Sequence, residues 1–190
     1  MRDAHQPAHL GGHNHTTWVD KGALAFLVNH FNVSSMVDVG CGPGGMKKIA
    51  KSLNVEWFGI DGDPSVKQND MLIHDFTKGA VDELATFDLG WSVEFLEHVH
   101  EEYQPNYMNV FSKCKFILCT AALPGWRGHH HVNEQHRDYW ITTFSNYGFA
   151  YDQNITDQVI NHSTMIKKKK IAGYKKSFMQ ITGMFFINDC

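Results

Sequence analysis

The sequence predicts an α/β fold, a Rossmann-like three-layer sandwich whose mostly parallel sheet carries an antiparallel hairpin at one edge. Three observations point there. Short apolar runs alternate with amphipathic stretches from about residue 36 onward. A glycine-rich turn, GCGPGG, follows the first apolar run. The last two strand-like runs are joined by a lysine-rich polar link with no helical pattern. Alternating strands and helices cover both faces of a parallel sheet, and a polar link permits an antiparallel return. At 190 residues the chain suits one domain, 1–190, preceded within itself by an irregular arm over 1–16.

The elements follow in order. Pro7 and the Gly11-Gly12 pair break any helix in the arm. Thr17 is placed to cap a helix over 18–31, with Trp18, Leu24, Leu27, Val28 and Phe31 on one face. SMVDVG reads as a buried strand, GGMKKIAKSLN as a helix and VEWFGID as a second strand ending in an acid. DPSVKQN gives a turn of helix, MLIH a weak strand, and VDELATF a helix or loop. DLGWSVEF is the fourth strand, and a mostly helical stretch interrupted near Pro105 follows it. KFILCTAAL is the most apolar strand, and a loop rich in glycine and histidine leads to a helix over RDYWITTFSNYGF stopped by Gly148. AYDQNITDQVI reads as a strand and SFMQITGMFFIND as a closing strand.

Composition narrows the function. Hydrophobic residues make 43% and charged residues 19%, with a net charge of −3. That balance is globular and gives no global attraction to nucleic acid or to an anionic membrane. No apolar run approaches the roughly 20 residues of a membrane span. The opening residues lack the apolar stretch of a secretory signal. Four cysteines without a CxxC pair fit a reduced, cytoplasmic setting.

Glycines between a strand and a helix let the main chain approach a ligand, at a helix N-terminus that carries partial positive charge. The run fits both GxGxxG and GxGxG, a weak signal alone. Three acids sharpen it. Asp38 lies in the strand two residues before Gly40, where a carboxylate repels phosphates but suits a cationic ligand. Asp61 ends the second strand, where an acid grips ribose hydroxyls. Asp75 follows the third strand, placed to accept from an adenine amino group.

VDVGCGPGG, the later GID and the EFLEHV segment together resemble the class I S-adenosylmethionine-dependent methyltransferases over about residues 34–152. The likeness is to small domains of the type 11 and type 23 kind, including phage-encoded versions. It implies S-adenosyl-L-methionine as cofactor. Asp38, Gly40, Cys41, Gly42 and Gly44 would line its methionine and ribose, Asp61 would take the ribose, and Gly62 and Asp63 would lie beside it. Asp75 and Phe76 would meet the adenine, while Trp91, Ser92 and Glu94 would lie beneath the transferable methyl. Glu97-His98 matches the family's Glu-His pair. The fourth strand lacks an Asn/Asp-Pro-Pro-aromatic tetrapeptide, which argues against methylation of DNA bases.

The loop PGWRGHHHVNEQH belongs at the carboxyl edge of the sheet, where doubly wound folds bind ligands. The expected activity is O-methylation of a small polar or sugar-like acceptor. His131 is the favoured base, with His130 and His98 behind it, since histidine titrates in the range such a base needs. Trp18, Arg127, His129 and Asn133 are the candidate acceptor contacts. The bland account is a solvated polar loop. No metal is assigned: three consecutive histidines cannot all face one point on a strand, although a bent loop with Glu134 or His136 would allow a site.

His13, His15 and Trp18 fit either a lid over the cofactor or an arm whose Trp18 packs in the core. Lys167–Lys170, Lys175 and Lys176 read as a solvated face, or as a patch drawing an anionic acceptor. The rival readings are an NAD(P)-dependent oxidoreductase, which Asp38 and the lack of a Tyr-x-x-x-Lys pair oppose, and a nucleotide-binding module without catalysis.

Overall fold

A computed structural model describes residues 7–166 and 176–189. The lysine run Lys167–Lys170, with Tyr174, Lys175, His5 and Cys190, lies outside the described residues. Helix α1 spans Lys21–Phe31 and is followed by β1, Ser35–Val39, then α2, Gly45–Ser52, and β2, Glu56–Asp61. β3, Met71–Ile73, and β4, Phe87–Val93, come next, linked by loops and a 3₁₀ turn. After β4 run two 3₁₀ turns, α3 (Gln104–Phe111) and β5 (Cys114–Thr120). The chain then forms α4 (Arg137–Asn146), β6 (Phe149–Tyr151), α5 (Gln153–His162), α6 (Phe178–Thr182) and β7 (Met184–Asn188).

The seven strands form one sheet in the order β3-β2-β1-β4-β5-β7-β6. β1 pairs in parallel with both β2 and β4, so the winding reverses between β1 and β4. β7 runs antiparallel between β5 and β6. Alternation along the strands builds two cores. Val37, Ile117, Cys119 and Phe186 pack with Tyr107, Phe111, Trp140 and Phe144 under α3 and α4. Met36, Trp91, Leu118 and Phe185 face Leu24, Leu27, Met46 and Val159 on the other side. Burying each such side chain contributes about 1.5–3 kcal/mol, which fixes the register of β1, β4, β5 and β7.

The predicted sandwich is therefore present, with four corrections. α1 starts at Lys21, because Asp20 rather than Thr17 caps it: its carboxylate accepts from Ala23 N at 3.0 Å. Pro105 opens α3, in the first turn where its missing N–H costs nothing, and does not interrupt it. Residues 150–160 are not one strand. Asp152 caps α5 by accepting from Ile155 N, which overrides the β-branched residues of the segment. The antiparallel edge lacks a simple hairpin, since α5 and α6 stand between β6 and β7 and a Ser177–Gln180 capping box starts α6 inside the supposed closing strand.

Candidate functional site

The reversal between β1 and β4 opens a crevice beyond the carboxyl ends of the central strands, the position where open α/β sheets bind ligands. Here it is a cleft of about 750 Å³, bounded by the glycine turn, the ends of β2 and β4, the histidine loop and the N-terminal arm.

The turn demands glycine. Gly40 and Gly42 have φ of +73° and +51°, and a Cβ on Gly40 would stand 2.5 Å from the Phe95 ring. The turn's N–H groups are already spent. Gly40 and Cys41 donate to Ile60 O, Gly42 to Asp61 Oδ2 at 2.7 Å, Gly44 to Cys41 O and Gly45 to Thr17 Oγ1. A pyrophosphate bound here would find no row of free amides.

Two acids face the cleft from the strand ends. Asp38 is 3% exposed and accepts from the Trp57 indole at 3.1 Å. Burial pushes its carboxyl up to about 7, against the pull of that hydrogen bond, with Asp61 adding repulsion. Asp61 holds the turn through Gly42 N and accepts from Asp63 N at 2.9 Å. Burial raises it too, and the two amides oppose the rise. Asp75 caps the following 3₁₀ turn through Thr77, and its other oxygen meets His9 Nε2 at 3.0 Å. Burial raises this carboxyl, but the Thr77 and His9 hydrogen bonds outweigh it and hold it low.

At the opposite end lie Glu94, Glu97, His98 and His131. Glu94 adopts φ +55° at the end of β4, a left-handed conformation that turns the chain sharply and is braced by Thr120, whose hydroxyl bonds both Glu94 N and Glu94 Oε1. The Glu97 carbonyl accepts from Val132 N and Asn133 N at 2.9 and 3.0 Å, clamping the histidine loop against the 3₁₀ turn Leu96–His98. The His98 and His131 rings meet edge to face at 4.8 Å. His131 Nδ1 lies 2.6 Å from Glu134 Oε1. Glu134 also accepts from Gly125 N and Arg127 N, so it fixes both loop and imidazole. Burial and the neighbouring His131 push His98 down to about 4, so it is neutral at physiological pH.

The arm crosses this crevice. His13 Nε2 bonds Asp63 at 3.0 Å, the His129 ring meets Leu10 O, and Leu10 and His13 pack over Gly62 and Gly42. Trp18 stacks edge-on against Phe178 while still lining the cleft.

Of the residues expected from sequence, Asp38, Gly40, Cys41, Gly42, Asp61, Gly62, Asp75, Phe76, Trp91, Glu94, His98, Trp18, Arg127 and His129 through His131 line the cleft. Four do not. Ser92 is fully buried and donates to Val39 O, bracing β1 against β4. Gly44 faces Gln68 and Trp57 on the outer side of the turn. Asp63 caps a 3₁₀ turn behind the cleft lining, with its N–H donated to Asp61 and its carboxylate meeting His13. Asn133 is 4% exposed behind the loop, bonded to Gln135. Sequence reasoning missed Phe95, which floors the turn, and Thr17, which caps α2 from the arm. It also gave Glu97 no role of its own. A serine or threonine before a helix was the signal for Thr17, but it serves a different helix from the one expected.

No protein-family model matches the sequence, and no curated protein matches it. Solved structures do match in fold. The methyltransferase domain of bacterial CtHen1-C superposes with a TM-score of 0.61 at 14% identity, covering 90% of this chain and 97% of that one. The plantazolicin methyltransferase BpumL, in complex with SAH, gives 0.58 at 13%, covering 90% and 83%. The magnesium protoporphyrin IX methyltransferase ChlM from Synechocystis PCC 6803, with bound SAM, gives 0.54 at 15%, covering 86% and 74%. At these identities the likeness establishes the fold, which is the one class I methyltransferases use.

Proposed function

We propose that the chain is an S-adenosyl-L-methionine-dependent methyltransferase acting on a hydroxyl of a small polar or sugar-like acceptor. One observation carries this reading: the glycine turn presents carboxylates and saturated amides to the cleft, not free N–H groups. Such a rim suits a cationic nucleoside with an amino group and a ribose, and it disfavours the pyrophosphate of a dinucleotide. The fold likeness and the motif resemblance agree with it.

On this reading Asp38 faces the methionine amino group, Asp61 takes the ribose hydroxyls, and Phe76 and Asp75 flank the adenine. The acceptor enters between the histidine loop and Glu94. Bound S-adenosylmethionine would supply the methyl group, its carbon–sulfur bond breaking as the acceptor oxygen forms the new carbon–oxygen bond and the sulfonium being left as a neutral thioether. The hydroxyl proton leaves at the His131 end of the cleft. Alignment of the two partners supplies up to roughly 7–11 kcal/mol of the barrier reduction, so the arm and loop matter as positioners and as barriers to water.

The test is methyl transfer from labelled S-adenosylmethionine to a panel of hydroxylated acceptors, alongside His131→Ala. Expected is turnover lowered about 10²-fold or more in the variant, with S-adenosylhomocysteine affinity unchanged. Full turnover in the variant would remove His131 from the reaction.

A further inference from the structure

We propose that Glu97, His98 and His131 bind a divalent transition cation, such as Mn²⁺, Co²⁺ or Zn²⁺, at the acceptor end of the cleft. One ligand atom from each lies within 4.8 Å of the other two. Metal–ligand bonds of about 2.0–2.2 Å set ligand atoms roughly 3–4 Å apart, so small side-chain rotations close the set.

Two further observations raise the cluster above proximity. Glu97 is fully buried, and neither carboxylate oxygen meets a donor at hydrogen-bond geometry, although the backbone at Glu97 and Ala122 lies beside it. Glu94 is packed against the same group. A fully buried carboxyl group beside a second, part-buried one is costly unless a positive charge or a shared proton lies between them. The imidazoles are also held from behind. His131 passes Nδ1 to Glu134 at 2.6 Å, leaving Nε2 for a ligand bond. His98 bonds the His129 carbonyl, while its Nδ1 is buried without a partner. Metal-ligating histidines almost always hand their other ring nitrogen to a carboxylate or a carbonyl in this way.

Three protein ligands of mixed oxygen and nitrogen type leave coordination positions free, and all three residues line the cleft. A hydroxyl oriented on such a cation loses its proton more readily, and in the metal-bound protein His131 then serves as ligand in place of general base. That role rests on the methyl-transfer reading; the existence of the site does not. The cluster is not legible in the sequence because 33 positions separate His98 from His131, and only the loop clamp at the Glu97 carbonyl brings them together.

The experiment uses the untagged full chain, stripped with chelator and titrated with Co²⁺ and Mn²⁺ alone, followed by calorimetry and, for Co²⁺, visible absorption. Expected is one equivalent per chain with ligand-field bands. Glu97→Gln and His131→Ala should each weaken binding tenfold or more, and Glu134→Gln about 10–100-fold. His30→Ala, far from the cleft, should bind as the parent does. Far-UV circular dichroism and melting temperature check that the variants are folded. Metal binding in a protein that ignores S-adenosylhomocysteine supports the site and overturns only the cofactor reading. No saturable binding below about 1 mM, or equal binding in parent and His131→Ala, overturns the proposal and assigns a shared proton to the Glu94–Glu97 pair.

Discussion

At the residue scale two aspartates of the cleft, Asp61 and Asp38, do different work. Asp61 ties the glycine turn to β2 through Gly42 N, and in the proposed function its carboxyl group takes the ribose hydroxyls. A charge-assisted hydrogen bond is worth roughly 1.5–3 kcal/mol, so Asp61→Ala should weaken S-adenosylhomocysteine binding at least about tenfold by calorimetry. Unchanged affinity would move the ribose elsewhere. Asp38 sits in the sheet at a carboxyl value raised from 3.8 to about 7. The folded state therefore holds a proton that the unfolded chain releases near pH 4. Its contribution to stability is complete below pH 4 and disappears as pH climbs through about 7, after which the buried charge is a cost of a few kcal/mol. Asp38→Asn keeps an acceptor for Trp57 and removes that charge. Its melting temperature should gain on the parent's between pH 5 and pH 8, while cofactor affinity drops. Parallel melting profiles across that range would show that Asp38 is not carried as a buried acid.

At the element scale, caps decide where helices begin, and they decided most differences from the sequence reading. Asp20 is fully buried; besides capping α1 it accepts from Ser163 Oγ and from Thr164 N at 2.8 Å, joining α1 to the chain after α5. Asp20→Ala should destabilise by about 2 kcal/mol or more, beyond the usual cost of roughly 1 for a cap, because partners are left unpaired. Chemical denaturation checks this, and a loss below about 0.5 kcal/mol would contradict it. The sequence predicts Thr17 as the cap of this helix, and Asp20 takes that place. Only the distant Ser163 and Thr164 distinguish them, and no local pattern carries that information. The strands were legible because their apolar runs match the two cores. The site was legible wherever a residue type and its chain position sufficed, as for Gly40, Asp61 and Asp75. It was opaque where function depends on a long-range clamp, as when the Glu97 carbonyl presses Val132 and Asn133 inward and brings His131 to His98.

At the scale of the whole molecule, the doubly wound sheet places a rim of carboxyl groups, Asp38, Asp61 and Asp75, beneath one end of the cleft and the Glu97–His98–His131 cluster at the other, with the arm bridging between them through Asp63, Asp75 and His129. Trp18 touches Phe178, while His9 and His13 reach across the opening to Asp75 and Asp63. The central claim is that this cleft recognises a nucleoside bearing a positive amino acid side, not a dinucleotide. Calorimetric titration of the full chain with S-adenosylhomocysteine and, separately, with NADH tests it most directly. The account predicts one saturable site for S-adenosylhomocysteine, with Kd at or below about 100 μM, and no heat from NADH. Saturable NADH binding with no response to S-adenosylhomocysteine would contradict it.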